Sequence, residues 1–154
     1  MTKTTLEKII SKLKNVPLNK WKEVGKRLYT PCKYVPNHSC WYACNDRHGQ
    51  GAGKHGFKTR LSQYQFEITM ERESVLDNVA LHAGDYEYED SDSYSLHVKN
   101  RKGTIVHEEY YNLQRLYETI YYKFLDAEEK LREKARKKEQ QAKKQFKKDI
   151  KRLI

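Results

Sequence analysis

Three cysteines and two nearby histidines come first among the residues whose types could do chemistry. Cys32, Cys40 and Cys44, with His38 and His48 between and after them, supply enough thiolate and imidazole for one tetrahedral zinc. The spacing argues against it, because structural zinc sites favour C-x2-C knuckles and none is present. Cys40 and Cys44 sit in an aromatic run with Trp41, Tyr42 and Ala43, where a free cysteine packs as a small apolar residue. The expectation is no bound metal, with Cys32, Cys40, Cys44 and His48 as the ligand set if zinc were held. A nucleophilic Cys44 paired with His48 or His55 would need an orienting acid, and Asp46 is near only along the chain. His97 and His107, followed by Glu108 and Glu109, form no arrangement with assignable roles. No catalytic residue and no cofactor is expected; a small zinc- or cysteine-dependent enzyme stands as an alternative.

A glycine-rich segment, Gly49-Gln50-Gly51-Ala52-Gly53-Lys54-His55-Gly56, contains G-x-G-x-x-G as Gly51, Gly53 and Gly56. That pattern cradles a pyrophosphate only between a strand and a helix N-terminus. Here Phe57-Lys58-Thr59-Arg60-Leu61 follows, which reads as extended. The Walker form also fails, being one residue short and carrying His55 where Ser or Thr would hold magnesium. A basic, flexible hairpin tip is expected instead. Its Arg47, Lys54, His55, Lys58 and Arg60 suit a phosphate backbone, and Trp41 or Tyr42 could stack on bases.

Charge is segregated along the chain. Of the net +10, residues 130–154 carry twelve Lys/Arg against three acids, so the rest of the chain is nearly neutral. The twelve are Lys130, Arg132, Lys134, Arg136, Lys137, Lys138, Lys143, Lys144, Lys147, Lys148, Lys151 and Arg152. A helix with that excess repels itself unless a polyanion is present, and each phosphate it neutralises releases counterions. Residues 61–98 hold Arg72 against nine acids. Within them Asp85, Tyr86, Glu87, Tyr88, Glu89, Asp90 and Asp92 read either as a solvated loop or as a negative strip offered to a basic groove of another protein.

These residues need elements to hold them. Thr4 or Thr5 can cap a first helix over about 5–14, with Leu6, Ile9, Ile10 and Leu13 on one face; Pro17 ends it. Asn19 can cap a second helix over about 19–29, with Trp21, Val24 and Leu28 inward. From Ser39 to Val106 the pattern is of strands. Leu61, Tyr64, Phe66, Ile68 and Met70 alternate with one phase change near Ser62, which implies a bulge or two strands. Tyr94–Val98 and Thr104–Val106 flank the turn Asn100-Arg101-Lys102-Gly103 as a hairpin. A last helix runs from near Glu108 to the end. Leu113, Leu116, Tyr117, Ile120, Tyr121, Phe124 and Leu125 form its broad stripe, which thins beyond Leu131.

The fold class expected is α+β: two short N-terminal helices, an antiparallel sheet of about four or five strands, and one long C-terminal helix that extends beyond the domain. Residues 1–129 would form the domain, with 108–129 the core half of the last helix, and 130–154 a basic helical extension. No stretch approaches the apolar length of a membrane span, and Met1 to Leu6 lacks a leader's apolar run, so the cytosol of a bacterial or host cell is expected. The partner expected is nucleic acid, DNA and RNA being indistinguishable here. The alternative is a small phage or mobile-element inhibitor, of the anti-CRISPR kind, that binds a host nucleic-acid enzyme through its charged surfaces. The thin stripe beyond Leu131 also leaves room for a homodimer through this helix.

Overall fold

Thr2 begins the first element. Its backbone is extended and its Oγ1 accepts a hydrogen bond from the Thr5 N–H at 3.2 Å, satisfying one of the orphan donors of helix α1, Lys3–Lys14. The helix therefore starts two residues before the expected position. Leu6, Ile10 and Leu13, spaced at one helical face, are its buried residues. The computed structural model describes residues 2–28, 53–76 and 88–154.

The expected second helix over 19–29 does not form. A single 3-10 turn, Leu18–Lys20, leads into strand β1, Lys22–Gly25. Pairing overrides local propensity here: Lys22 to Gly25 lie antiparallel to Lys58 to His55, and Gly25 adopts φ 82, which interrupts any helix. A side chain at Gly25 would put its Cβ 2.4 Å from the Lys54 carbonyl oxygen, so this close approach requires glycine. Trp21 is buried as expected, but from an extended backbone.

Four more strands follow: β2 Gly53–Leu61, β3 Tyr64–Leu76, β4 Tyr88–Asn100 and β5 Gly103–Glu108. They complete a five-stranded antiparallel sheet in the order β1-β2-β3-β4-β5, a meander in which every neighbour is also next in sequence. The phase change at Ser62 is the turn between two strands, and Leu61 pairs with Tyr64 across it. Ser62 sits at φ 58, a left-handed position that glycine usually fills. The expected hairpin at Asn100–Gly103 is present, closed by Asn100 Oδ1 accepting from the Lys102 and Gly103 N–H groups at 2.8 and 3.0 Å.

Two other expectations change. Gly53 to Gly56 belong to β2 rather than to a loop tip, and Gly56 is paired with Thr69 in the middle of the ladder. The residues from Tyr88 onward, expected as an acidic loop, are the first part of the long strand β4, opposite Leu76 to Arg72. In both places pairing with β3 supplies backbone partners, which outweighs the low strand preference of Gly, Asp and Glu.

Register sorts the side chains into two faces. Phe57, Ile68, Leu96 and His107 form one cross-sheet row; Met70 lies between His55 and Tyr94 in the next. Phe57, Ile68, Met70 and Leu96 have no exposed surface, and Tyr94 has almost none. Helix α2, Tyr111–Leu153, covers this face through Tyr117, whose ring lies 5.6 Å from Phe57 and 5.7 Å from Tyr94. Leu113, Leu116, Ile120 and Tyr121 are buried with it, while Phe124 and Leu125 are half-buried. Glu109 caps the helix start, its carboxylate accepting from the N–H groups of Asn112 and Leu113. The chain divides into two compact units, Met1–Tyr121 and Tyr122–Ile154. The class is α+β.

Candidate nucleic-acid interface

The opposite face of the sheet carries charge, and register orders it. Arg60, Gln65, Lys99 and Thr104 share the row nearest the two hairpin turns; Lys22, Lys58, Glu67, His97 and Val106 share the next-but-one along the strands. Further along come Lys54, Glu71 and Ser93, then Glu73, and Glu108 ends β5. Cations therefore predominate at the turn end, with Glu67 beside Lys58, and carboxylates at the other, with Lys54 beside Glu71. Arg101 and Lys102, exposed in the second turn, extend the cationic end.

The two turns lie side by side because Gln65 pairs with Lys99. Between them is an open groove of about 730 Å3 lined by Arg60, Tyr64, Asn100, Arg101 and Lys102 together with the polar Ser62 and Gln63. Among the described residues no carboxylate lines it. Tyr64 is 37% exposed, with the nearly buried Phe66 ring 6.5 Å from it. Sequence reasoning missed Tyr64, Arg101 and Lys102. The signal was available in the two turns, each with a cation within two residues, but only the register makes them neighbours.

Lys54, Lys58 and Arg60, expected to face phosphates, do lie on the open sheet face, with Lys54 and Arg60 exposed. His55 does not. Strand alternation turns it to the covered face, where it is fully buried between helix and sheet. Its Nδ1 is 2.6 Å from the Tyr117 hydroxyl and its Nε2 is 2.7 Å from Glu23 Oε1. A carboxylate can only accept, so Nε2 carries the proton and donates to Glu23; Nδ1 then accepts from the Tyr117 O–H. Arg27 completes the chain, gripping Glu23 with two hydrogen bonds of 2.6 and 3.0 Å while its guanidinium lies 5.5 Å from the Tyr121 ring centre.

Titration follows from these contacts. Burial holds the His55 imidazole below its ordinary value, more strongly than the Glu23 carboxylate raises it. Hydrogen bonding from Arg27 holds Glu23 low despite its partial burial. Burial pushes the Tyr117 phenol up, so it stays a donor. This relay of phenol, imidazole and carboxylate resembles catalytic machinery in composition, but His55 has no exposed atom for a substrate to reach. It fixes β1, β2 and α2 to one another.

The remaining candidates fall as follows. Asp92 binds Arg72 directly across the β3–β4 ladder, at 2.7 and 3.0 Å. Tyr88, Glu89 and Asp90 lie on β4 opposite Leu76, Val75 and Ser74. Asp85, Tyr86 and Glu87 lie outside the described residues, as do Arg47, Trp41, Tyr42, Cys32, His38, Cys40, Cys44 and His48. Among the described residues no cluster of His, Cys, Asp or Glu could hold a metal. His97 and His107 occupy opposite faces of the sheet, since His97 pairs with Val106 and His107 with Leu96.

In the second unit, residues 129–153 are exposed throughout on one unbroken helix. Lys130 to Arg152 all lie on it. Glu133 and Glu139 engage Arg136 and Lys143 at 3.9 and 3.5 Å, leaving a large cationic excess. No helix among the described residues is long and apolar enough to cross a membrane.

The class these features define is a small α+β protein with a meander sheet, a cationic sheet end and a long basic helix. No protein-family model, no curated protein and no solved structure matches the chain.

Proposed function

We propose that this protein is a non-enzymatic nucleic-acid-binding protein whose main contact is the Lys130–Arg152 helix. One observation carries the reading: twelve cations against three acids on a continuous exposed helix. At a rise of 1.5 Å per residue that stretch is about 35 Å long, close to one turn of B-form duplex. At 100° per residue, Leu131, Ala135, Ala142, Phe146 and Leu153 occupy one side of the helix and the cations most of the remainder. A phosphate backbone meets such a cylinder favourably from several directions, and counterion release supplies the affinity.

Lys58 and Arg60 add a second cationic area on the sheet face. Purification of the full chain at low salt tests the reading: nucleic acid is expected to come with it and to leave on raising salt. Replacing Lys143, Lys144, Lys147 and Lys148 together by Gln should weaken binding to all sequences alike. Recovery of a stoichiometric protein partner and no nucleic acid would favour the inhibitor reading instead.

A further inference from the structure

The groove between the two hairpin turns has a composition that the basic helix lacks: cations combined with an exposed aromatic ring. We propose that this sheet end is a separate site for a short single-stranded segment of nucleic acid, with one base stacked on Tyr64 and the flanking phosphates held by Arg60, Arg101 and Lys102. The proposal deepens the nucleic-acid reading, on which it rests, by naming the strandedness of the ligand.

Three features specify this ligand class. First, the groove's volume of about 730 Å3 lies within the roughly 300–1,000 Å3 of ordinary ligand clefts. Second, the charged lining among the described residues is cationic, with Arg60, Arg101 and Lys102; of the open-face carboxylates Glu67 stands two rows away beside Lys58, and Glu71 and Glu73 lie farther along the strands. An anion is therefore drawn to this end and not to the other. Third, Tyr64 keeps over a third of its surface exposed at the end of β3, backed by the buried Phe66. An exposed ring stacks on any unpaired base, whereas the bases of a duplex are stacked on one another and present only edges.

The geometry also explains how one strand can use both kinds of contact. By alternation Tyr64 shares the face of Phe66, while Arg60, paired with Gln65, belongs to the opposite face. The groove thus wraps the end of the sheet, and a flexible single strand can follow that curvature where a stiff duplex cannot. Both turns are two residues long, and Asn100 Oδ1 fixes the second by accepting from the Lys102 and Gly103 N–H groups, so Arg101 and Lys102 are presented from a hydrogen-bonded turn.

The test uses the full chain with eight-residue oligothymidylate and, separately, with a duplex of the same length and more. Tyr64→Ala should weaken oligothymidylate binding by about 5- to 150-fold, the range for loss of one stacked base, and leave duplex binding within about 2-fold. Tyr64→Phe keeps the ring and should restore binding. Arg101→Gln with Lys102→Gln, both in an exposed turn, should lower the salt slope of single-strand binding by about 1.4. Thermal melting of each variant separates lost binding from lost folding. Unchanged oligothymidylate affinity in Tyr64→Ala, or equal loss for duplex, overturns the proposal, as does equal competition by polyglutamate. If Gln at Lys143, Lys144, Lys147 and Lys148 abolishes binding of both probes while Tyr64→Ala changes neither, the groove proposal fails and the helix reading stands. If the helix variant changes neither probe but Tyr64→Ala weakens oligothymidylate, the helix reading fails alone.

Discussion

A neutral imidazole sealed between a phenol and a carboxylate is a sensitive object, because protonation puts a charge in a buried site and forces the Tyr117 O–H to give up Nδ1 as its acceptor. His55 and Glu23 both have lowered proton affinity in the folded chain. Between the folded value and the ordinary value near 6.5, the unfolded chain binds a proton that the folded His55 refuses, so stability falls as pH drops through that window. Glu23 has the same sign at lower pH: its contribution is full above its ordinary value near 4.5 and is lost as pH falls through the lowered one. The thermal midpoint should therefore drop from pH 7 to pH 5, and His55→Gln should be less stable at pH 7 yet flatter across that range. An equally steep profile in the variant would rule out His55 as the source. Arg72 and Asp92 make a second, part-buried pair. Asp92→Ala removes the cross-strand carboxylate from Arg72 and should cost about 2 kcal/mol in chemical denaturation, while Glu71→Ala, on the exposed face, should stay within about 0.5 kcal/mol. Comparable losses at the two positions would contradict the assigned faces. Neither pair was legible in the sequence. His55 read as one more cation of a glycine loop, since nothing local reveals that strand parity turns it inward toward Tyr117, sixty-two residues away.

Elements show which signals survive folding. The Tyr94–Val106 hairpin, the two-strand reading of Phe57–Met70 and the stripe of α2 rested on periodicity and turn chemistry, which act over a few residues and persist in the fold. The second helix is lost because the helical spacing of Trp21, Val24 and Leu28 is overridden by the edge of β2, with which Lys22 to Gly25 pair. Asp and Glu around residue 90 read as loop on composition, yet a partner strand of thirteen residues was there to pair them. Turn strain gives the prediction at this scale. Ser62 holds φ 58 between β2 and β3, so Ser62→Gly should be neutral or stabilising by up to about 1 kcal/mol, and Ser62→Val should cost more than 1 kcal/mol. If Ser62→Val melts with the parent, the turn is not under that constraint.

Over the whole molecule, the separation of charge is what the sequence makes plainest and what folding refines. The basic run beyond Lys130 was legible residue by residue, because a long helix without Pro or Gly needs no tertiary information. The cationic sheet end was not, because Arg60, Tyr64 and Arg101 are brought together only by the meander register. Each area would contribute phosphate contacts, and the helix holds most of the charge. Binding driven by counterion release must weaken steeply with salt. Fluorescence anisotropy of a labelled duplex of about twenty base pairs, titrated with the full chain from 50 to 200 mM salt, measures it directly. With six to ten phosphates neutralised, affinity should fall by about 10^3 to 10^5 across that range, and the slope of log K against log salt should lose about 3.6 when Lys143, Lys144, Lys147 and Lys148 become Gln. A slope near zero, or one that the four substitutions leave unchanged, would contradict the account.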